Sequence, residues 1–116
     1  MPEALASAVI PARATTVWRV VRDFGGSAAW QPAVAGCVLA DAEAPDRVGC
    51  IRTLSMADGE TVVEPLLALD DHARSLTYGI VSSPYRVQSY RATMWVVPVT
   101  AAGETFVGWS VNFDYD

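Results

Sequence analysis

With 116 residues the chain has room for one domain, spanning 1–116, and for a core of useful size. Its composition, 52% hydrophobic and 18% charged, excludes general disorder, and a formal charge of −5 offers no basic surface to nucleic acid or anionic membranes. Arg, Asp, Glu or Pro interrupts every apolar run before it reaches the length of a membrane span, and Met1-Pro2-Glu3 lacks the basic start of a secretory signal, so a cytoplasmic location is expected.

Residues 4–10 form a strand candidate stopped by Pro11. Over residues 13–24 the period changes: Val17, Val20, Val21 and Phe24 recur at helical spacing beside Trp18, with Arg19 and Arg22 opposite. Gly25-Gly26 closes this helix, and Ser27-Ala28-Ala29-Trp30 predicts one further helical turn before Pro32. These glycines punctuate a helix, since no strand–GxGxxG–helix context makes them a phosphate cradle.

After Pro32 the pattern is β throughout. Strand candidates cover residues 34–40, 47–56, 60–69, 75–81, 88–99 and 104–114. Between them lie the Pro45-containing turn at 41–46, Asp58-Gly59, the charged segment Asp70-Asp71-His72-Ala73-Arg74, and Ala101-Ala102-Gly103. Alternation assigns the faces. Leu76, Tyr78 and Ile80 share one side; Tyr90, Ala92, Met94 and Val96 share another, opposed by Arg91, Thr93, Trp95 and Val97. In the last strand Val107, Trp109, Val111 and Phe113 are expected to face the interior together. One strand, a helical segment and six more strands joined by short turns indicate an α+β domain with a curved antiparallel sheet.

Glu64 stands at the centre of its strand, on the face of Val62, Leu66 and Ala68, and is either on a wet face or in a cavity with a partner. Arg52 is the candidate partner. Signals for catalysis are few: there is no HExxH, GxSxG or paired-histidine spacing, and the single His72 lies in a charged, outward-projecting turn. Cys37 and Cys50 lack metal-ligand spacing; their placement about the 41–46 turn sets them facing across a hairpin, reduced and acting as small packing residues. No metal or cofactor is expected.

The run Val17-Trp18-Arg19-Val20-Val21-Arg22-Asp23-Phe24-Gly25-Gly26, followed by Trp30-Gln31-Pro32, resembles the first-helix signature of the START-related (SRPBCC) ligand-binding superfamily, in particular its polyketide cyclase/dehydrase-like branch. Val48-Gly49-Cys50-Ile51-Arg52, Glu64-x-Leu66 with Leu69-Asp70-Asp71, Leu76-Thr77-Tyr78, Tyr90-Arg91-Ala92-Thr93 and Trp109-Ser110 continue the likeness in order. Relatives include the major birch-pollen allergen and the plant abscisic-acid receptors. The resemblance implies a helix-grip fold: a curved seven-stranded antiparallel sheet, two short helices after the first strand, and an apolar cavity under a long C-terminal helix. This sequence ends at Phe113-Asp114-Tyr115-Asp116, where that helix would begin, so the helix is expected to be absent. Tyr78, Tyr90, Met94, Trp109 and Phe113 would then line an open half-cavity. A homodimer burying Tyr90, Met94, Trp109 and Phe113 is the expected remedy. Pro65, where relatives often carry a basic residue, suggests a bulge or edge geometry.

Position by position, the resemblance implies cavity walls from Arg52, Leu54 and Met56; from Val62, Glu64 and Leu66; from Leu76, Tyr78 and Ile80; from Tyr90, Ala92 and Met94; and from Val107, Trp109 and Val111. Gln31 matches a ligand-facing position, and Ser83-Pro84-Tyr85-Arg86 matches the gate over the cavity mouth, which makes Tyr85 a further ligand contact. An apolar pocket with a few polar tips suits small-molecule recognition. Three functions fit. The first is a carrier or sensor of a small apolar or aromatic, lipid- or polyketide-like metabolite. The second is a cyclase, dehydratase or isomerase with Glu64 as general base and Tyr78 or Tyr90 as donor. The third is a protein-interaction module acting through the open sheet face.

Overall fold

The computed structural model describes residues 3–84 and 87–115. In order they form β1 (Glu3–Ile10), α1 (Ala14–Val21), a 3-10 turn (Ser27–Ala29), β2 (Val34–Leu39), a second 3-10 turn (Ala40–Ala42), β3 (Ile51–Met56), β4 (Thr61–Asp70), β5 (Ser75–Gly79), β6 (Val87–Val99) and β7 (Glu104–Tyr115). The strands make one seven-stranded antiparallel sheet in the order β1-β7-β6-β5-β4-β3-β2. β1 and β2 are thus neighbours in sequence but lie at opposite edges, and the segment joining them, α1 with its 3-10 turn, crosses one face of the sheet. None of the described helices is long and apolar enough to cross a membrane.

That crossing makes the core. Ala14, Val17, Trp18 and Val21 form the buried stripe of α1, and with Phe24 they pack on Leu66, Leu76, Tyr78, Ala92, Met94 and Val96 of the sheet. The stripe differs from the expected one: Val20 is exposed and Ala14 takes a place in it. α1 also ends before Phe24. Arg22 is its C-cap, and Gly26 N–H donates to Asp23 O in a turn that folds Phe24 inward until it is 1% exposed. At the other end of the crossing, the buried Thr105 Oγ1 donates to Ala12 O at 2.6 Å and ties β7 to the β1–α1 link.

Two local features change the facing of residues along the strands. The pairing of β4 with β5 shifts between Leu66 and Ala68, after Pro65. Leu67 and Ala68 are exposed as a result, and Leu69, not Ala68, continues the inward face begun by Val62, Glu64 and Leu66. Pro65 therefore sits beside a bulge within an interior strand, not at an edge. β3 begins at Ile51 instead of residue 47, because residues 40–50 are taken up by turns that include left-handed Asp41 and Gly49. The resulting register sets Cys37 opposite Leu54, not Cys50. Cys50 is fully buried in the main core and Cys37 donates to Phe24 O at 3.6 Å, so the two thiols are free and apart.

The turns follow side-chain chemistry. Asp58 Oδ1 accepts from Glu60 N–H, with Gly59 at φ 92° where only glycine is unstrained. Asp70 Oδ1 accepts from the N–H groups of His72 and Ala73, which leaves His72 exposed as expected. The next residue latches the turn to the helix: Asp71 Oδ1 accepts from Trp18 Nε1 and Arg22 Nε, both at 2.8 Å, and Oδ2 accepts from Arg22 Nη2 at 3.2 Å. On the convex face the Trp95 indole packs against Gly108, where an added Cβ would come within 2.3 Å of the ring.

Two outcomes follow. Gly108→Ala must displace Trp95, so it should cost about 1–3 kcal/mol. In a Trp95→Ala background the same change should cost little, and thermal unfolding of the double-mutant cycle measures the difference. Hydrogen bonds from Arg22, and then from Trp18, hold the Asp71 carboxyl below the usual carboxylate range. A depressed folded-state pKa means that its contribution is present at neutral pH and lost as pH falls through the folded value. The Trp18 indole N–H resonance should therefore titrate with a midpoint below that of an ordinary aspartate, and Asp71→Asn should abolish the transition.

Candidate functional site

The register of β3 against β4 sets Arg52 directly opposite Glu64. Both point into the concave side, at 6% and 5% exposure, so the carboxylate lies in a cavity with a partner and not on a wet face. Arg52 Nε and Nη2 both approach Glu64 Oε1, at 2.8 and 2.7 Å, while Nη1 donates to Phe24 O at 3.2 Å. The guanidinium is also sandwiched: its Cζ lies 3.9 Å from the centre of the Phe24 ring and 4.8 Å from that of Tyr78. Arg52 therefore joins β3, β4, β5 and the end of the helical crossing at one point.

Beside this pair opens a cavity of about 490 Å³. Leu54, Met56 and Val62 form one wall and Tyr78 and Ile80 the next; Tyr90, Trp109 and Phe113 close the far side, and Gln31, Pro32 and Ala33 stand after the 3-10 turn. Ten of the residues assigned to a ligand from sequence are brought together here: Gln31, Arg52, Leu54, Met56, Val62, Glu64, Tyr78, Ile80, Tyr90 and Trp109. Leu66, Ala92, Met94 and Val111 do not line it. They lie in or against the core under α1 and Phe24, which fill that half of the concave face. Tyr85 lies outside the described residues. Pro32, Ala33 and Phe113 are additional lining residues; of these, the alternation of β7 had marked Phe113 as inward-facing.

Trp109 also borders a second cavity of about 210 Å³, walled by Ala6, Ala8, Ile10, Trp30, Met94 and Val107. The rings of Trp30 and Trp109 are 6.0 Å apart, and neither indole N–H finds a hydrogen-bond partner although both are sealed from solvent. Met94 is only 4% exposed in the single chain, so it has no surface to give the dimer interface expected from sequence. Tyr90, Trp109 and Phe113 are each half-buried.

The electrostatics follow from this burial. Glu64 is pushed above the usual carboxylate range by desolvation, against the opposing charge and hydrogen bonds of Arg52. Burial first, and the Glu64 charge second, also raise Tyr78 and Tyr90, so both hydroxyls keep their protons at neutral pH. The site thus combines a carboxylate of enhanced basicity with two hydroxyl donors on an apolar wall. Among the described residues no group of three or more His, Cys, Asp or Glu side chains converges as a metal site would require.

Comparison with known proteins agrees with this geometry. The solved structure of XoxI from Bacillus cereus superposes with a TM-score of 0.88 at 28% identity, covering 99% of this chain and 77% of that one. A solution structure from Thermobifida fusca gives 0.87 at 31% identity, covering 100% and 76%. A norcoclaurine synthase point mutant from Thalictrum flavum, in complex with a transition-state analogue, gives 0.76 at 18% identity, covering 99% and 76%; at that identity the likeness is one of fold. The sequence profile described as polyketide cyclase / dehydrase and lipid transport matches residues 1–116. With the profile matched along the whole chain and the sheet superposing on these structures, the chain belongs to the polyketide cyclase / dehydrase and lipid transport family.

Proposed function

We propose that the protein binds a small apolar or aromatic, lipid- or polyketide-like molecule in the concave cavity and acts as its carrier or sensor. The observation that carries this reading is the cavity itself: about 490 Å³, apolar on its walls, with a buried Arg52–Glu64 pair and two tyrosines on one side. That volume lies in the range of small-molecule sites, and convergent polar groups in an apolar hollow fix orientation without surrendering the hydrophobic gain. Family membership supports the same reading, since its description names both lipid transport and cyclase chemistry.

A second reading, a cyclase, dehydratase or isomerase, is favoured by one specific observation. Burial raises the proton affinity of Glu64, and a general base works best with a pKa near the operating pH. In that reaction Glu64 would take a proton next to a carbonyl, while Tyr78 or Tyr90 would donate to the developing enolate oxygen.

Glu64→Gln separates the readings once thermal unfolding confirms that the variant folds, because the amide keeps the shape and an oxygen for Arg52 to donate to but can no longer act as a base. For a carrier, affinity for a bound apolar probe should change by no more than severalfold. For an enzyme, turnover of a candidate ketide should fall about 100-fold or more with binding retained. Equal loss of both would assign Glu64 a recognition role. The Glu64 carboxyl itself should titrate above the usual range in carbon-detected NMR. Because its folded-state pKa is raised, the stability linked to its proton is present at acid pH and lost as pH rises through the folded value. Glu64→Gln should flatten that part of the stability–pH curve; an unchanged curve would show that Arg52 fully offsets the desolvation of Glu64.

A further inference from the structure

A buried carboxylate has two oxygens, and each needs donors once water is gone. Glu64 is 5% exposed, and both of its contacts with Arg52 fall on one of them: Nε and Nη2 stand 2.8 and 2.7 Å from Oε1. The remaining arm of the guanidinium is engaged elsewhere, with Nη1 donating to Phe24 O at 3.2 Å. The Phe24 and Tyr78 rings hold the guanidinium between them, so it is not free to swing toward Oε2. No donor among the described residues closes on Oε2.

That oxygen is not walled off. The polar side-chain atoms that are both sealed and unpartnered among the described residues are Ser27 Oγ, Trp30 Nε1 and Trp109 Nε1. Glu64 Oε2 is not one of them, so open space remains beside it, and the space that Glu64 borders is the cavity of about 490 Å³. The aliphatic part of the lining, Leu54, Met56, Val62 and Ile80, offers it nothing that donates.

Charge decides the kind of donor that fits. Arg52 already balances the carboxylate at contact distance, and no second acidic side chain lines the cavity among the described residues. A ligand ammonium would stand beside a guanidinium with no further carboxylate to offset it. A carbonyl would set lone pairs against lone pairs. An uncharged hydroxyl needs only the free lone pairs of Oε2, and a hydrogen bond to an ionised acceptor is of the stronger kind.

We infer that Glu64 Oε2 anchors an uncharged hydroxyl of the ligand, a phenol or an enol, with the rest of the ligand against the apolar walls. This deepens the cavity-binding reading and rests on it.

Four naphthalenes of similar size test the inference by calorimetry on the intact chain: 2-naphthol, 2-methylnaphthalene, 2-acetylnaphthalene and 2-naphthylmethylammonium. Mildly alkaline buffer favours the Glu64 carboxylate and leaves the naphthol protonated. The naphthol should bind about tenfold more tightly than the methyl compound, the worth of one hydrogen bond to a charged acceptor, and more tightly than the ketone or the ammonium. Glu64→Gln can keep its amide oxygen on Arg52 and turn its NH2 to the cavity, so the order of naphthol and ketone should reverse. Retained affinity for the methyl compound reports an intact fold. If Glu64→Gln does not fold, the double variant Arg52→Met, Glu64→Leu removes both charges and strands neither. It should bring naphthol and methyl compound to within about twofold of each other. Three results would overturn the hydroxyl anchor and leave the cavity reading standing: naphthol bound no more tightly than the methyl compound by the unmodified protein, tighter binding of the ketone or the ammonium, or a naphthol preference that survives loss of Glu64. Failure of all four probes to bind would overturn both.

Discussion

The buried pairing of Arg52 with Glu64 is the contact on which the rest of the structure depends. A desolvated charge without a partner costs several kcal/mol, so each of these residues is tolerable only because the other is there. Replacing such a pair with apolar side chains is often neutral or stabilising, which makes it a poor device for stability alone. What it provides is a fixed point. The guanidinium bonds across β3 to β4, donates to the carbonyl of Phe24 beyond α1, and lies between the Phe24 and Tyr78 rings. The end of the helical crossing is thereby tied to the floor of the sheet.

That tie divides the concave face. On one side α1 and Phe24 cover Leu66, Leu76, Ala92 and Val96, and the space is solid core. On the other side the chain passes through Trp30 and Gln31 toward β2 at the far edge, and the sheet beneath is left uncovered as the cavity. Whether an inward-facing side chain packs a core or lines a pocket is therefore decided by how far across the sheet the helix reaches. The Arg22 and Trp18 contacts with Asp71 hold the helix from its outer side, anchoring it to the β4–β5 turn. The same low-dielectric surroundings that demand a partner for Glu64 also raise its basicity and keep Tyr78 and Tyr90 protonated, so the polar side of the cavity is a product of its burial.

Family membership and cavity shape leave the chemistry to a few side chains, because one fold can carry a binding protein or a catalyst. In the proposed reading the apolar walls would select the class of ligand, while Glu64, Tyr78 and Tyr90 would decide what happens to it. The Trp109 ring is wall to two cavities, and its buried N–H has no hydrogen-bond partner.

Strand alternation in the sequence was enough to assign the faces of β5, β6 and β7, since a period of two leaves no freedom once one residue is known to point inward. That is why alternation alone groups Tyr78, Tyr90 and Trp109. Local pattern failed where the chain departs from its period. The shift after Leu66 turned Ala68 outward, the turns of residues 40–50 displaced Cys50 from Cys37, and a buried stripe running through Ala14, Val17, Trp18 and Val21 left Val20 at the surface. Separating cavity from core among residues that all face inward, with Leu66, Ala92 and Met94 on one side and Leu54, Ile80 and Phe113 on the other, needed the position of α1 over the sheet. So did the reach of Arg52 to the Phe24 carbonyl, 28 residues away in sequence. Periodicity is a property of a strand and can be read from its residues. What covers a strand is set by contacts between distant segments, and only the tertiary structure brings those together.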